Sequence, residues 1–171
     1  GYKAIACGIW HTVGLRNDGS VVTWGSDGQR ADEPTNAGYV AIATFEVHSL
    51  ALHEDGSIVT WGRNHYNQRS DCPTDAGHRA IAAGLHHSVA IRRDGSIVTW
   101  GSNRSNQLAD VPTDAGYVAV ACGDRHSVAL RDDGLVVTWG STGQDRRLDA
   151  PTDAGYVAIA CGWSHSVGLR S

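Results

Sequence analysis

Five histidines stand at His11, His48, His87, His126 and His165, with steps of 37, 39, 39 and 39 residues. Imidazoles in such a series could ligate a metal or relay protons if the fold brought them together. Metal ligation requires nitrogens converging to about 2 Å around one ion. Each of these histidines instead occupies the same short pattern, Gly-x-x-His-Ser/Thr, with Thr44 in place of the glycine in the second copy. A polar residue that recurs once per copy serves each copy, so the series is read as structural hydrogen bonding and no metal site is expected. His65 and His86 fall outside the series and remain candidates for contact with a partner. The recurrent acids are turn residues, Asp18-Gly19, Asp55-Gly56, Asp94-Gly95 and Asp133-Gly134. Glycine there reaches positive φ without steric penalty. No nucleophile has a local base, and no glycine loop precedes a helix to cradle phosphate. No catalytic residue, cofactor or enzymatic activity is therefore expected.

The elements that position these residues follow from the period. Trp24, Trp61, Trp100 and Trp139 repeat with the histidines, and Pro-Thr pairs begin at Pro34, Pro73, Pro112 and Pro151, 39 residues apart throughout. Trp24 lies 10 residues before its proline and the other tryptophans 12, so the first unit has lost two residues from one loop. A fixed period near 40 residues signals a propeller, solenoid or array. No stretch carries an apolar helical pattern of useful length. Each unit opens on a small-residue strand such as Val118–Cys122, continues into a hairpin about the Asp-Gly turn, and closes on a β-branched strand ending Thr-Trp-Gly. A fourth, outer strand is expected near Leu108–Val111. Three to four strands per unit is the content of a blade, which makes the chain an all-β protein, a β-propeller. The units run 1–37, 38–76, 77–115 and 116–154, with a half-unit at 155–171, in one propeller region spanning 1–171.

The 171 residues are 41% hydrophobic and 19% charged, a globular composition, with a formal net charge of −4. That charge gives no reason to expect nucleic acid or an anionic membrane as partner, and no apolar run is long enough for a membrane helix. Cys7, Cys122 and Cys161 share one repeat position with Thr44 and Ala83, and Cys72 sits in a loop. A site accepting Cys, Thr and Ala is a small buried pocket, so the thiols are read as free, which favours a reducing compartment.

The units also differ from one another, and not at random. If the strands A to D of a unit run antiparallel, the A–B and C–D connections share one face. The other face, made by the Asp-Gly turns and the Pro-Thr-Asp-Ala-Gly linkers, is monotonous. The A–B turns read Ile9-Trp10, Phe45-Glu46-Val47, Leu85-His86, Asp124-Arg125 and Trp163-Ser164. The C–D turns read Ser26-Asp27, Arg63-Asn64-His65-Tyr66, Ser102-Asn103-Arg104-Ser105 and Ser141-Thr142. They vary toward the aromatic and arginine residues enriched at interface hot spots. The candidate partner-binding residues are Trp10, Phe45, Glu46, Val47, His65, Tyr66, Leu85, His86, Arg104, Asp124, Arg125 and Trp163, centred on Trp10, Phe45, Tyr66, Arg125 and Trp163.

The unit Ala-Cys-Gly-x-x-His-Ser-Val-Ala-Leu-Arg-x-Asp-Gly-x-Val-Val-Thr-Trp-Gly is followed by Gly28-Gln29, Asn67-Gln68, Asn106-Gln107 or Gly143-Gln144. It resembles the regulator of chromosome condensation repeat, in a short-repeat form similar to the propeller-type β-lactamase inhibitory protein. The resemblance implies a seven-bladed ring used mainly for protein recognition. It does not carry nucleotide exchange on a small GTPase, because the wedge insertion and basic tail that activity depends on are not seen here. The expected function is thus a non-enzymatic protein-interaction or scaffold module. A glycan-binding propeller, with Trp10 and Trp163 as stacking platforms, is the alternative, and inhibition of a partner enzyme a further one. Seven units would need about 273 residues. The ring is accordingly expected to be completed by further sequence, a second copy or another subunit.

Overall fold

The computed structural model describes residues 1–141 and 150–171. Thr142, Gly143-Gln144 and the Arg146-Arg147 pair lie outside the described residues. The strands are β1 (Tyr2–Cys7), β2 (His11–Arg16), β3 (Val21–Gly25), β4 (Tyr39–Thr44), β5 (His48–His53), β6 (Ile58–Gly62), β7 (His78–Ala83), β8 (His87–Arg92), β9 (Ile97–Gly101), β10 (Tyr117–Cys122), β11 (His126–Arg131), β12 (Val136–Gly140), β13 (Tyr156–Cys161) and β14 (Ser166–Arg170). They form antiparallel sheets β1-β2-β3, β4-β5-β6, β7-β8-β9 and β10-β11-β12, followed by the pair β13-β14. These are β-propeller blades, with the strand order that the sequence pattern predicts.

Each hairpin is set by its Asp-Gly turn. The Asp18 carboxylate accepts the Ser20 backbone N–H at 2.9 Å, and Gly19 sits at φ 81°. The same turn recurs at Asp55, Asp94 and Asp133. It also couples neighbouring units, because the Gly19 carbonyl accepts the Tyr39 N–H at 2.9 Å, as Gly56, Gly95 and Gly134 accept from His78, Tyr117 and Tyr156. A side chain at Gly19 would meet the Gly38 backbone at 2.9 Å, so the turn needs glycine for both φ and the close approach.

Three expectations are corrected. No sheet has a fourth strand among the described residues, and Leu108–Val111 is turn and coil. That segment bonds to itself instead: Leu108 N–H to Asn103 Oδ1 at 2.9 Å, Ala109 N–H to the Asn106 carbonyl at 3.1 Å, and Ser105 N–H to Gln107 Oε1 at 2.8 Å. Asn106 and Asp110 take left-handed φ of 58° and 55°, which breaks an extended run. In the shortened first unit a single helical turn, α1 (Asp27–Arg30), stands where no helix is expected. Finally, Thr44 pairs with Ser49 as Cys7 pairs with Thr12, so Phe45, not Thr44, takes the glycine position of the second unit.

The core lies between sheets rather than within them. Val13, Leu15 and Val21 of the first sheet pack on Tyr39, Ala51 and Trp61 of the second. Leu50, Leu52 and Ile58 pack on Ala90 and Trp100 of the third, and Val89, Ile91 and Ile97 on Tyr117, Ala129 and Trp139 of the fourth. Trp61, Trp100 and Trp139 therefore face the preceding unit. Trp61 Nε1–H donates to Thr23 Oγ1 at 3.0 Å, Trp100 to the Gln68 carbonyl at 2.9 Å and Trp139 to the Gln107 carbonyl at 3.1 Å. The histidines bridge the same seams: His11, His48, His87 and His126 Nε2 lie 2.8, 2.8, 2.8 and 2.9 Å from the hydroxyls of Ser49, Ser88, Ser127 and Ser166. The outermost faces have no such cover. Tyr2, Ile5 and Trp24 on the first sheet, and Val157, Val167 and Leu169 on the last, are exposed.

Candidate functional site

Antiparallel pairing sends both variable loops of a unit to one face. There the residue following the third strand donates its N–H to the A–B turn. Ser26 bonds the Trp10 carbonyl at 2.9 Å, Arg63 that of Val47 at 2.9 Å, Ser102 that of His86 at 2.8 Å and Ser141 that of Arg125 at 2.8 Å. The turns also lean on the next unit, with Asp124 N–H bonded to the Trp163 carbonyl at 2.9 Å and Leu85 N–H to the Gly123 carbonyl at 3.3 Å. Close passage explains the glycine before four of the five A–B turns, Gly8, Gly84, Gly123 and Gly162. A Cβ at Gly84 would lie 2.7 Å from the Gly123 carbonyl oxygen and closer still to the His87 ring.

On this scaffold the candidate residues fall into small groups. Phe45 of the second unit and Trp163 of the half-unit meet with ring centroids 6.1 Å apart, so the A–B turns of units distant in sequence converge. The Tyr66 and His86 rings meet at 4.1 Å with their planes tilted by 38°, and the Arg104 guanidinium lies 4.7 Å over the Tyr66 ring. Asp124 pairs with Arg125 at 3.2 Å. Trp10, 62% exposed, and His65 project to solvent outside these groups. Trp163, Arg104 and Arg125 are exposed, Phe45, Glu46, Tyr66 and His86 half-buried. Val47, Leu85 and Asp124 are buried and hold the turns in place.

Between the loops of units two, three and four lies a cleft of about 220 Å³ lined by Tyr66, His86, Arg104, Gln107, Asp124 and Arg125. The Asp124 carboxylate forms one wall, and its Oδ1 has no hydrogen-bond partner. Burial pushes the His86 imidazole below its usual pKa and the Glu46 carboxyl above its own, the latter helped by the like charge of Asp124. The cleft thus offers an imidazole biased toward its neutral form, a phenol ring and two guanidinium groups. These are groups for binding, with no nucleophile–base pair among them. Among the described residues no cluster of three or more His, Cys, Asp or Glu is placed to hold a metal.

One residue class was undervalued in the sequence. Gln68 and Gln107 are buried, and their backbone carbonyls anchor the next unit's tryptophan. Their recurrence after Trp-Gly was the available signal.

The model of the regulator of chromosome condensation (RCC1) repeat matches residues 2–29, 47–68, 79–107 and 117–144. The chain belongs to the RCC1-repeat family. No curated protein matches it in sequence. Solved RCC1-like structures resemble it over nearly all its length. The ectodomain of the Physcomitrella patens receptor kinase CR4 is 26% identical, with a TM-score of 0.82 over 99% of this chain and 47% of that one. The ectodomain of the Arabidopsis thaliana receptor kinase ACR4 is 24% identical, with a TM-score of 0.82 over 98% of this chain and 60% of that one. Prp20p from Saccharomyces cerevisiae is 22% identical, with a TM-score of 0.77 over 99% and 56%. The RCC1-repeat chain spans about half the length of these structures. No helix among its described residues is long and apolar enough to cross a membrane.

Proposed function

We propose that this RCC1-repeat chain is a non-enzymatic protein-docking module that engages its partner through the A–B and post-tryptophan loops. The observation that carries this is the pairing of variable-loop residues from different units, Phe45 with Trp163 and, lining a cleft, Tyr66 with His86 and Arg104. Rigid aromatics and arginine on a fixed framework are the residues from which hot spots are built. Structures of related fold support the reading. Prp20p was characterised for its binding to Gsp1p and histones, and yeast RCC1 was solved with Kap60 bound. We further propose that the exposed end faces of the first and last sheets are covered by further blades in the working assembly.

The test is alanine substitution of Trp10, Phe45, Tyr66, Arg125 and Trp163 together. Capture of the partner by the intact chain is expected to be lost with the melting temperature held within a few degrees. Each central aromatic is worth about 2 kcal/mol or more of binding. Retention of binding by that variant, and its loss on altering the Asp-Gly face, would overturn the assignment.

A further inference from the structure

Several arginines of this chain are matched with acids. Arg30, Arg69, Arg92 and Arg170 pair with Asp27, Asp32, Asp75 and Asp153, and Arg131 pairs with both Asp114 and Asp133. Arg104 is not. Among the described residues its guanidinium pairs with no carboxylate and rests on the Tyr66 ring, 4.7 Å from the centroid. The loop that carries it is held by its own side chains, with Arg104 N–H bonded to Ser102 Oγ at 3.3 Å and Ser105 N–H to Gln107 Oε1 at 2.8 Å. Arg125, from the next unit, lines the same cleft of about 220 Å³. Its Nε–H meets Asp124 Oδ2 at 3.2 Å, while its side chain is 63% exposed, so the outer N–H groups of the fork face solvent. Asp124 is fixed in turn, its backbone N–H bonded to the Trp163 carbonyl. Two guanidiniums from successive units are thus presented to one recess by contacts that leave donors unused.

Charge decides what the recess takes. Arg104 and Arg125 carry two positive charges against the one negative charge of Asp124, and burial biases His86 toward its neutral form. Beside them Glu46 feels Asp124 and Arg63 with opposite sign. The lining is therefore one unit positive, on a chain whose formal net charge is −4. We infer that this cleft is a carboxylate-binding site that takes the side chain of a glutamate or aspartate on a loop of the docking partner. Arg104 and Arg125 donate N–H groups to the carboxylate oxygens, a pairing for which the planar fork of arginine is shaped. The single charge of a carboxylate matches the single excess charge of the lining. A phosphate monoester, at about −1.5 to −2 near neutral pH, would exceed it and press against Asp124. A cationic side chain would be repelled.

This inference rests on the reading that the variable-loop face docks a protein, and the experiment separates the two. The probe is the end-capped peptide acetyl-Gly-Gly-Glu-Gly-Gly-amide, titrated into the intact chain while the Tyr66 and His86 ring resonances are followed by NMR. Saturable shifts are expected, and binding should weaken as salt is raised. The glutamine version of the peptide should bind about fivefold more weakly or worse, as should the glutamate peptide to R104Q or R125Q. Melting temperatures check the fold of both variants. R93Q is the control, since the Arg93 guanidinium bonds the Asp55 carbonyl on the Asp-Gly face, and it should bind as the parent chain does. Equal binding of the two peptides, undiminished binding to R104Q, or a loss in R93Q as large as in R104Q overturns the site. A phosphoserine peptide that binds more tightly than the glutamate one overturns the choice of carboxylate, and tighter binding of pentaglycine with a free C-terminus overturns the choice of a side chain. If the glutamate peptide gives no saturable shift while the fivefold alanine variant loses the partner, the docking face stands and the carboxylate site falls. If the peptide binds as expected and the alanine variant keeps the partner, the carboxylate site stands and the docking face falls.

Discussion

The seam histidines are where residue chemistry bears most directly on stability. His48 and His87 are fully buried, and burial followed by the neighbouring imidazoles pushes both down to a pKa of about 3. They stay neutral in the fold and bond a serine across the seam. Replacing His87 by alanine strands the Ser127 hydroxyl and should cost about 1–3 kcal/mol. Thermal melts with and without a strong chelator measure this, and a chelator shift as large as the mutational one would indicate metal instead. The same depression has a pH consequence. Between pH 6.5 and about 3 the unfolded chain binds protons at these positions and the folded chain does not. Stability is therefore full above pH 6.5 and falls as the pH drops, by roughly 1.4 kcal/mol per unit for each histidine. Urea titrations from pH 7 to 4.5 should show this slope, and H87Q should remove about half of what the pair contributes.

At the scale of the element, one strand type has two fates set by what stands beside it. β3 and β12 share the sequence Val-Val-Thr-Trp-Gly, yet Trp24 is 42% exposed and Trp139 completely buried. Trp139 to alanine should destabilise by about 3–5 kcal/mol, the usual penalty for emptying an aromatic site in a core. Trp24 to alanine in the same chain should change stability by less than about 1 kcal/mol, because no sheet covers it. Chemical denaturation of the two variants compares them directly, and equal losses would mean that the first sheet is covered in solution. The hairpins were legible because Asp-Gly followed by β-branched residues specifies a turn and a strand from short-range chemistry alone. The expected outer strand failed for the opposite reason. Asparagine and glutamine side chains around Asn103–Gln107 satisfy the local backbone, a competition that hydrophobic patterning does not register.

At the scale of the whole molecule, the first and last sheets each carry exposed apolar side chains. Val167 and Leu169 correspond to the buried Val128 and Leu130 one unit earlier, so the last sheet presents an apolar surface to water. Changing both to serine should leave the melt nearly unaltered and reduce concentration-dependent association seen by light scattering. Unchanged association would point to the Tyr2 and Trp24 face instead. The repeat, the three strands of each unit and the turn chemistry were written in the sequence, since each depends on neighbours within one unit and recurs with it. The histidines bond a serine of the next unit, and their recurrence alone pointed to a structural role. The variable face was legible too, because antiparallel connection alone decides which loops share a side. What only the tertiary structure decided were the contacts between units: that Phe45 meets Trp163, that Val47, Leu85 and Asp124 turn inward, and that Trp100 and Trp139 rest on the preceding unit's glutamine carbonyl while Trp61 bonds Thr23. Those depend on the angle and separation at which one sheet packs on the next, and a sum over many side chains sets these, with no short-range pattern to announce it.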